Sequence, residues 1–287
     1  MDAFHFHAPD TLAAAAALLG EYGDDARPMA GGTALTLMMK QSLVQPDHLV
    51  SLHCVTDGRG IAIDGDVLRI GALVTQREVE RSPLLREHAP LLANAYGRVG
   101  TVRIRNVGTV GGGLAHGDPA QDPQPALLAL GAQVRLLSTA GERVVPMTDF
   151  CVDYYETAIE PGELVVELLV PTAPRFDKGV YLKYLPRTQD DYATVAVAAL
   201  GTVVDGRVEA ARVGLGAVAP TPLRATAVEE ALVGGPASAD AVREAAALVA
   251  DLVDPLDDAR GSAAYKRDMA VVFTRRALEH VFGLSGV

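Results

Sequence analysis

Residues 104–132 read IRNVGTVGGGLAHGDPAQDPQPALLALGA, and the chain is best read outward from them. The centre of this run is dense in Gly, Asp and Pro, which interrupt regular elements. It then gives way to a short apolar helix, ALLALG, and a strand, AQVRLLS. The glycines Gly111, Gly112 and Gly113 follow closely on Thr109. Glycine lets a backbone adopt positive φ and approach a ligand closely, and successive N–H groups can converge on an anionic oxygen. A diphosphate needs that geometry. Glycine runs also mark plain tight turns, so this loop alone decides nothing.

A second loop of the same kind lies upstream, Ala30-Gly31-Gly32-Thr33-Ala34 within ARPMAGGTALTLMMKQ. Its pattern is strand, turn, helix, and the helix N-terminus favours negative charge. Two such loops, each with a nearby Thr, point to one long cofactor held from two sides. Neither loop is a P-loop, and neither supplies a full G-x-G-x-x-G between strand and helix.

Around the loops the pattern alternates. Asp10 reads as the N-cap of a helix over TLAAAAALLGEYG that Gly23 stops. HLVSLHCV and VLRIGAL read as strands, with a hairpin signal at Asp64-Gly65. PLLREHAPLLANAYGRVG is helical with Pro at each entry, and ELVVELLVP is an apolar strand. After Pro174 come YLKYLPR, TVAVAALGTVVDG and RVEAARVGLGAV, antiparallel strands with a turn at Asp205-Gly206. Helices over TAVEEALVG, DAVREAAALVADLV and SAAYKRDMAVVFTRRALEHVFG follow. This is an α+β chain in which helices back the sheets.

Composition removes several functions. At 287 residues the chain holds two or three modules. Its formal net charge of -11 repels nucleic-acid phosphates, so no nucleic-acid partner is expected. The N-terminus lacks a basic signal region and LAAAAALLG is too short to span a bilayer, which gives a soluble, cytoplasmic reading without membrane insertion. Cys54 and Cys151 are too few for an iron–sulfur cluster within the chain and read as buried, reduced thiols. His116-Gly117-Asp118 lacks a third metal ligand, and no residues assemble into a nucleophile–base constellation.

Over essentially its whole length the chain resembles the FAD-binding medium subunits of the xanthine dehydrogenase and carbon monoxide dehydrogenase family of molybdenum hydroxylases. The likeness rests on AGGTALTLMMK, on the 104–132 run, on ELVVELLVP followed by YLKYLPRTQDDYATVAVAA, and on VGLGAVAPTPLRATAVEEAL and SAAYKRDMAVVFTRRAL. It implies a vanillyl-alcohol-oxidase-type (PCMH) fold with α/β FAD-binding subdomains at 1–52 and 53–173 and a C-terminal α+β domain at 174–287, with FAD in the cleft between. Partners would be a small subunit with 2Fe-2S clusters and a large subunit with the molybdenum-pterin cofactor, as a dimer of heterotrimers.

The resemblance assigns Ala30, Gly31, Gly32, Thr33 and Ala34 to the diphosphate, with Leu35 lining the same pocket. It puts Thr109, Gly112, Gly113, His116 and Asp122 around the ribityl, diphosphate and adenosine portions. Val165 and Lys183 fall where relatives touch adenine or flavin, and Asp191-Tyr192 falls beside the isoalloxazine. There Tyr192 would hinder nicotinamide stacking and favour another acceptor. Gly113 departs from the Ser, Asp or Asn of relatives, and Thr33-Ala34 replaces other polar pairs, so a side-chain hydrogen bond is expected to be missing at each place. On residue type alone, Lys183 is a solvated side chain of an alternating strand and Tyr192 a half-buried strand residue. Arg98, Arg103 and Arg105 read either as a positive field for the cofactor or as a solvated strand face. The competing functions are a stand-alone flavin oxidoreductase and a structural subunit with a degenerate flavin site.

Overall fold

The computed structural model describes residues 3–185, 188 and 190–284. The chain begins with a three-stranded parallel sheet in which His48–Ser51 lies between His5–His7 and Ala26–Met29. Parallel neighbours require crossovers, and the helices Leu12–Tyr22 and Thr33–Lys40 occupy the two connections. The first helix buries Leu12, Ala15, Ala16 and Leu19, one stripe at helical spacing. Its N-cap is Thr11, whose side chain accepts from Ala14 N, and not Asp10 as expected. Gly23, at φ 54°, ends it.

Next comes a five-stranded antiparallel sheet in the order Ile61–Asp64, Val67–Gly71, Leu164–Pro171, Gln133–Ser138, Gly141–Pro146. Asp64 pairs with Val67, so the hairpin turn is Gly65-Asp66, one residue beyond the expected signal. Short helices cover this sheet, and Leu68, Ile70, Leu92, Tyr96, Leu127 and Leu168 form the core between them. The central position of Leu164–Pro171 explains its nearly unbroken apolar sequence.

The third sheet is an antiparallel meander of Lys178–Tyr184, Val195–Val204, Arg207–Gly216 and Leu223–Arg224, backed by helices of which Ala263–Val281 is the longest. Asp205 and Gly206, both at positive φ, form the expected two-residue turn. The helix Pro123–Leu130 lies against this sheet. A Cβ on Gly214 would stand 2.1 Å from Pro125 O, so helix and strand meet backbone to backbone.

Two expectations fail here. Val102–Arg105 is a short helix and not a strand, capped by Thr101. Cys54 is exposed, because it falls in the irregular segment after His48–Ser51, whereas Cys151 is partly buried and its thiol is pushed up to about 11 by that burial. Among the described residues, no helix is long and apolar enough to cross a membrane.

Candidate cofactor site between two glycine loops

The two loops touch. A Cβ on Gly31 would fall 2.1 Å from Val107 O and 3.0 Å from Gly108 Cα, so only glycine allows the first loop to lie on the approach to the second. Gly32 is left-handed, at φ 66°, and forms the N-cap of Thr33–Lys40 without a side-chain cap. No described carbonyl or side chain accepts from Thr33 N, Ala34 N or Leu35 N. These first-turn donors and the helix dipole together suit an anionic group.

The second loop is built differently. Val110 N donates to Val74 O, Gly111 N to Ala72 O, Gly112 N to Thr109 Oγ1 and Gly113 N to Thr109 O, at 2.8–3.1 Å. Its N–H groups are therefore engaged within the chain, and the expectation that both loops offer free donors holds only for the first. What the second loop presents is bare backbone: Gly112 is exposed, and its Cβ position lies 4.0 Å from Ala30 Cβ across the gap. Gln76 and Gln121 flank Gly113, and Gln121 Nε2 donates to Gly113 O at 2.8 Å.

Asp122 starts the helix Pro123–Leu130 and is only 4% exposed. Its oxygens accept from Tyr181 Oη at 2.7 Å and Lys183 Nζ at 2.9 Å. Burial raises the Asp122 pKa, and the opposing pull of Lys183 and Tyr181 does not fully cancel it. Lys183 also donates to Arg98 O at 3.0 Å. It is thus a buried ion-pair partner and not a solvated strand residue. Tyr181 was not singled out in the sequence, yet it lies two residues before Lys183 on one strand and shares its face.

Val165 is 5% exposed, pairs with Leu136 and faces the core of the five-stranded sheet, so its side chain is spent on packing. His116 ends the helix Val110–His116, partly buried, its ring 5.4 Å from Tyr155. Burial holds the His116 pKa below the usual imidazole value, against the pull of Asp118, which keeps the ring neutral at pH 7. Tyr192 lies outside any strand and is 44% exposed. The Arg260 guanidinium lies 5.6 Å from its ring centroid and 3.7 Å from Asp191. Burial and Asp118 push the Tyr192 phenol up to about 12.

The arginine cluster divides. Arg105 is 7% exposed, pairs with Glu80 at 2.8 Å and donates to Val99 O and Gly100 O, so it ties the segment before the second loop together. Arg98 and Arg103 are exposed. No described group of His, Cys, Asp and Glu could hold a metal ion.

The arrangement fits an extended dinucleotide: helix-N-terminal donors that no described residue engages, a gap lined by glycine backbone, and a buried carboxamide oxygen, Gln76 Oε1, with no partner among the described residues. Residues 2–173 match the FAD binding domain in molybdopterin dehydrogenase, and residues 180–281 match the CO dehydrogenase flavoprotein C-terminal domain. This chain belongs to the FAD-binding medium-subunit family of the molybdenum hydroxylases. It is 39% identical to the carbon monoxide dehydrogenase medium chain of Afipia carboxidovorans, over 96% of each chain. It is 31% identical to the glyceraldehyde dehydrogenase medium chain of Sulfolobus acidocaldarius, over 91% of this chain and 92% of that one. The carbon monoxide dehydrogenase structure from Hydrogenophaga pseudoflava that lacks the Mo-pyranopterin moiety superimposes with a TM-score of 0.95, at 37% identity and 99% coverage of both chains. The medium subunit is thus an FAD-containing oxidoreductase subunit with the PCMH-type fold.

Proposed function

We propose that this medium subunit is the electron-transfer chain of a three-chain complex, probing no substrate of its own. It would take electrons from the 2Fe-2S clusters of a small partner and pass them to an external acceptor, while a large partner carrying the molybdenum-pterin cofactor oxidises the substrate. The observation that supports this is the contact between the two glycine loops, which sets unpaired first-turn donors beside bare backbone at Gly112. No acid–base constellation is needed, because bound FAD supplies one- and two-electron chemistry and the protein binds and orients it.

In this reading Ala30, Gly31, Gly32, Thr33, Ala34 and Leu35 hold the diphosphate. Thr109, Gly112, Gly113 and His116 border the middle of the cofactor, and Asp191 and Tyr192 the flavin end. Asp122 and Lys183 act as a pair, with a carboxylate that keeps lone pairs for a sugar hydroxyl. Val165 would contribute through its backbone. We take 1–52, 53–173 and 174–287 as the modules, a dimer of heterotrimers as the assembly and the cytoplasm as the compartment. Relatives named for carbon monoxide, glyceraldehyde, caffeine and nicotine share this subunit type, which supports substrate choice residing in another chain.

Isolation of the native complex, with an absorption spectrum and identification of its chains, tests the reading. Flavin together with iron–sulfur absorption and two further subunits is expected. The isolated, FAD-loaded chain should not turn over the complex's substrate, and turnover at the rate of the whole complex would overturn the relay.

A further inference from the structure

The segment Ala72–Gln76 is fastened along the second glycine loop. Thr75 and Thr109 form an antiparallel bridge, and Gln76 N donates to Gly108 O at 2.8 Å. This brings the Gln76 side chain over the loop. Its Nε2 lies 3.5 Å from where a Cβ on Gly108 would stand and 3.4 Å from the same point on Gly113. The carboxamide therefore spans the start of the helix Val110–His116, on bare backbone at both ends.

Gln76 is only 7% exposed, and Oε1 has no hydrogen-bond partner among the described residues. A buried carbonyl oxygen without a donor is costly, whereas the same oxygen paired is neutral or stabilising. Gln121, the other carboxamide at Gly113, already donates to Gly113 O. That bond uses the Gln121 amide donor, whereas the Gln76 oxygen is the one of the two that is buried without a donor among the described residues. An acceptor needs a donor, and the diphosphate of a dinucleotide carries no proton at neutral pH. Its sugar and sugar-alcohol hydroxyls do.

We infer that Gln76 is a cofactor-binding residue whose Oε1 accepts a hydrogen bond from a hydroxyl of the FAD ribityl chain or ribose. The inference rests on the two-loop placement of FAD.

The test is FAD titration of the apo-chain, read by quenching of flavin fluorescence, together with the melting temperature with and without FAD. Gln76→Leu removes the acceptor and keeps the bulk, and Gln76→Asn keeps an amide but withdraws it by one methylene. Both should weaken FAD about fivefold or more, with an apo melting temperature at or above that of the wild type for Gln76→Leu. A lowered apo melting temperature with unchanged FAD affinity would make Gln76 a stitch between segments and overturn the proposal. Should Gln76→Leu fail to fold, Gln76→Asn with wild-type affinity overturns it equally. Failure of the wild-type chain to bind FAD would sink the loop placement itself, a separate result.

Discussion

Lys183 Nζ lies 2.9 Å from Asp122 Oδ2 in an ion pair whose side chains are 4% and 5% exposed, joining the C-terminal sheet to the helix that follows the second glycine loop. Removing one partner leaves the other charge buried. Lys183→Met should therefore cost about 3–5 kcal/mol in urea unfolding, and the double variant Lys183→Met/Asp122→Asn should recover much of it. Equal loss in the single and double variants would show that the pair is not coupled.

The glycine loops give a graded set. Gly31→Ala drives a methyl into Val107 O, Gly32→Val forces a branched side chain at φ 66°, and Gly112→Val meets Thr109 Oγ1 at 2.9 Å and so breaks that cap. Strain of about 1–3 kcal/mol translates to FAD binding weaker by roughly fivefold to a hundredfold. Gly206→Ala, in a turn with open space around it, should keep its flavin. Added FAD should raise the wild-type melting temperature more than that of the loop variants. Full flavin occupancy in all three would refute the clamp.

Tyr192, braced by Arg260, is placed by the proposed site beside the flavin, where it would compete with a nicotinamide ring. The substrate-reduced complex should reduce a quinone or dye faster than NAD. Tyr192→Ala should narrow that difference. Rapid NAD reduction by the unaltered complex would end the idea.

Acid should weaken the fold through specific carboxylates. Burial works to raise the pKa of Glu80, but hydrogen bonds from Arg77 and Arg105 outweigh it and hold it below the 4.5 ordinary for glutamate. Glu163 behaves likewise against Arg143. A lowered native pKa contributes stability that is complete above the unfolded value and is lost as pH falls through the folded one. The share of stability held by these two carboxylates should thus be complete above about pH 5 and be lost below about pH 4.5, so the melting temperature should fall there less steeply in Glu80→Gln and Glu163→Gln. An identical slope in both variants would assign acid sensitivity elsewhere.

The strand–turn–helix at Gly31-Gly32, the hairpin at Asp205-Gly206 and the C-terminal helices were legible in the sequence because each depends on local chemistry: positive φ, capping, or one apolar stripe. Contacts between distant segments were not. Nothing local to Arg105 reveals Glu80 as its partner, and nothing around Thr109 shows that the carbonyls of Ala72 and Val74, in the turn after Val67–Gly71, absorb the second loop's N–H groups. The default solvated lysine at Lys183 failed for the same reason, since Asp122 lies 61 positions away. Tyr181 could have been found by applying strand alternation to the residue already suspected.

The helix Pro123–Leu130 has a consequence for recombining relatives. Its Pro125 carbonyl presses on Gly214 and its Pro125 ring on Gly216, so the helix is fitted to the sheet of the other half even though the family models part company between 173 and 180. A chimera spliced at that natural-looking seam would pair a foreign helix with a native strand. If the donor strand carries even alanine at 214, the methyl meets a carbonyl and the halves separate. Module exchange in this family should therefore succeed only when residues 122–130 travel with the C-terminal sheet, so that the heritable unit is discontinuous in sequence.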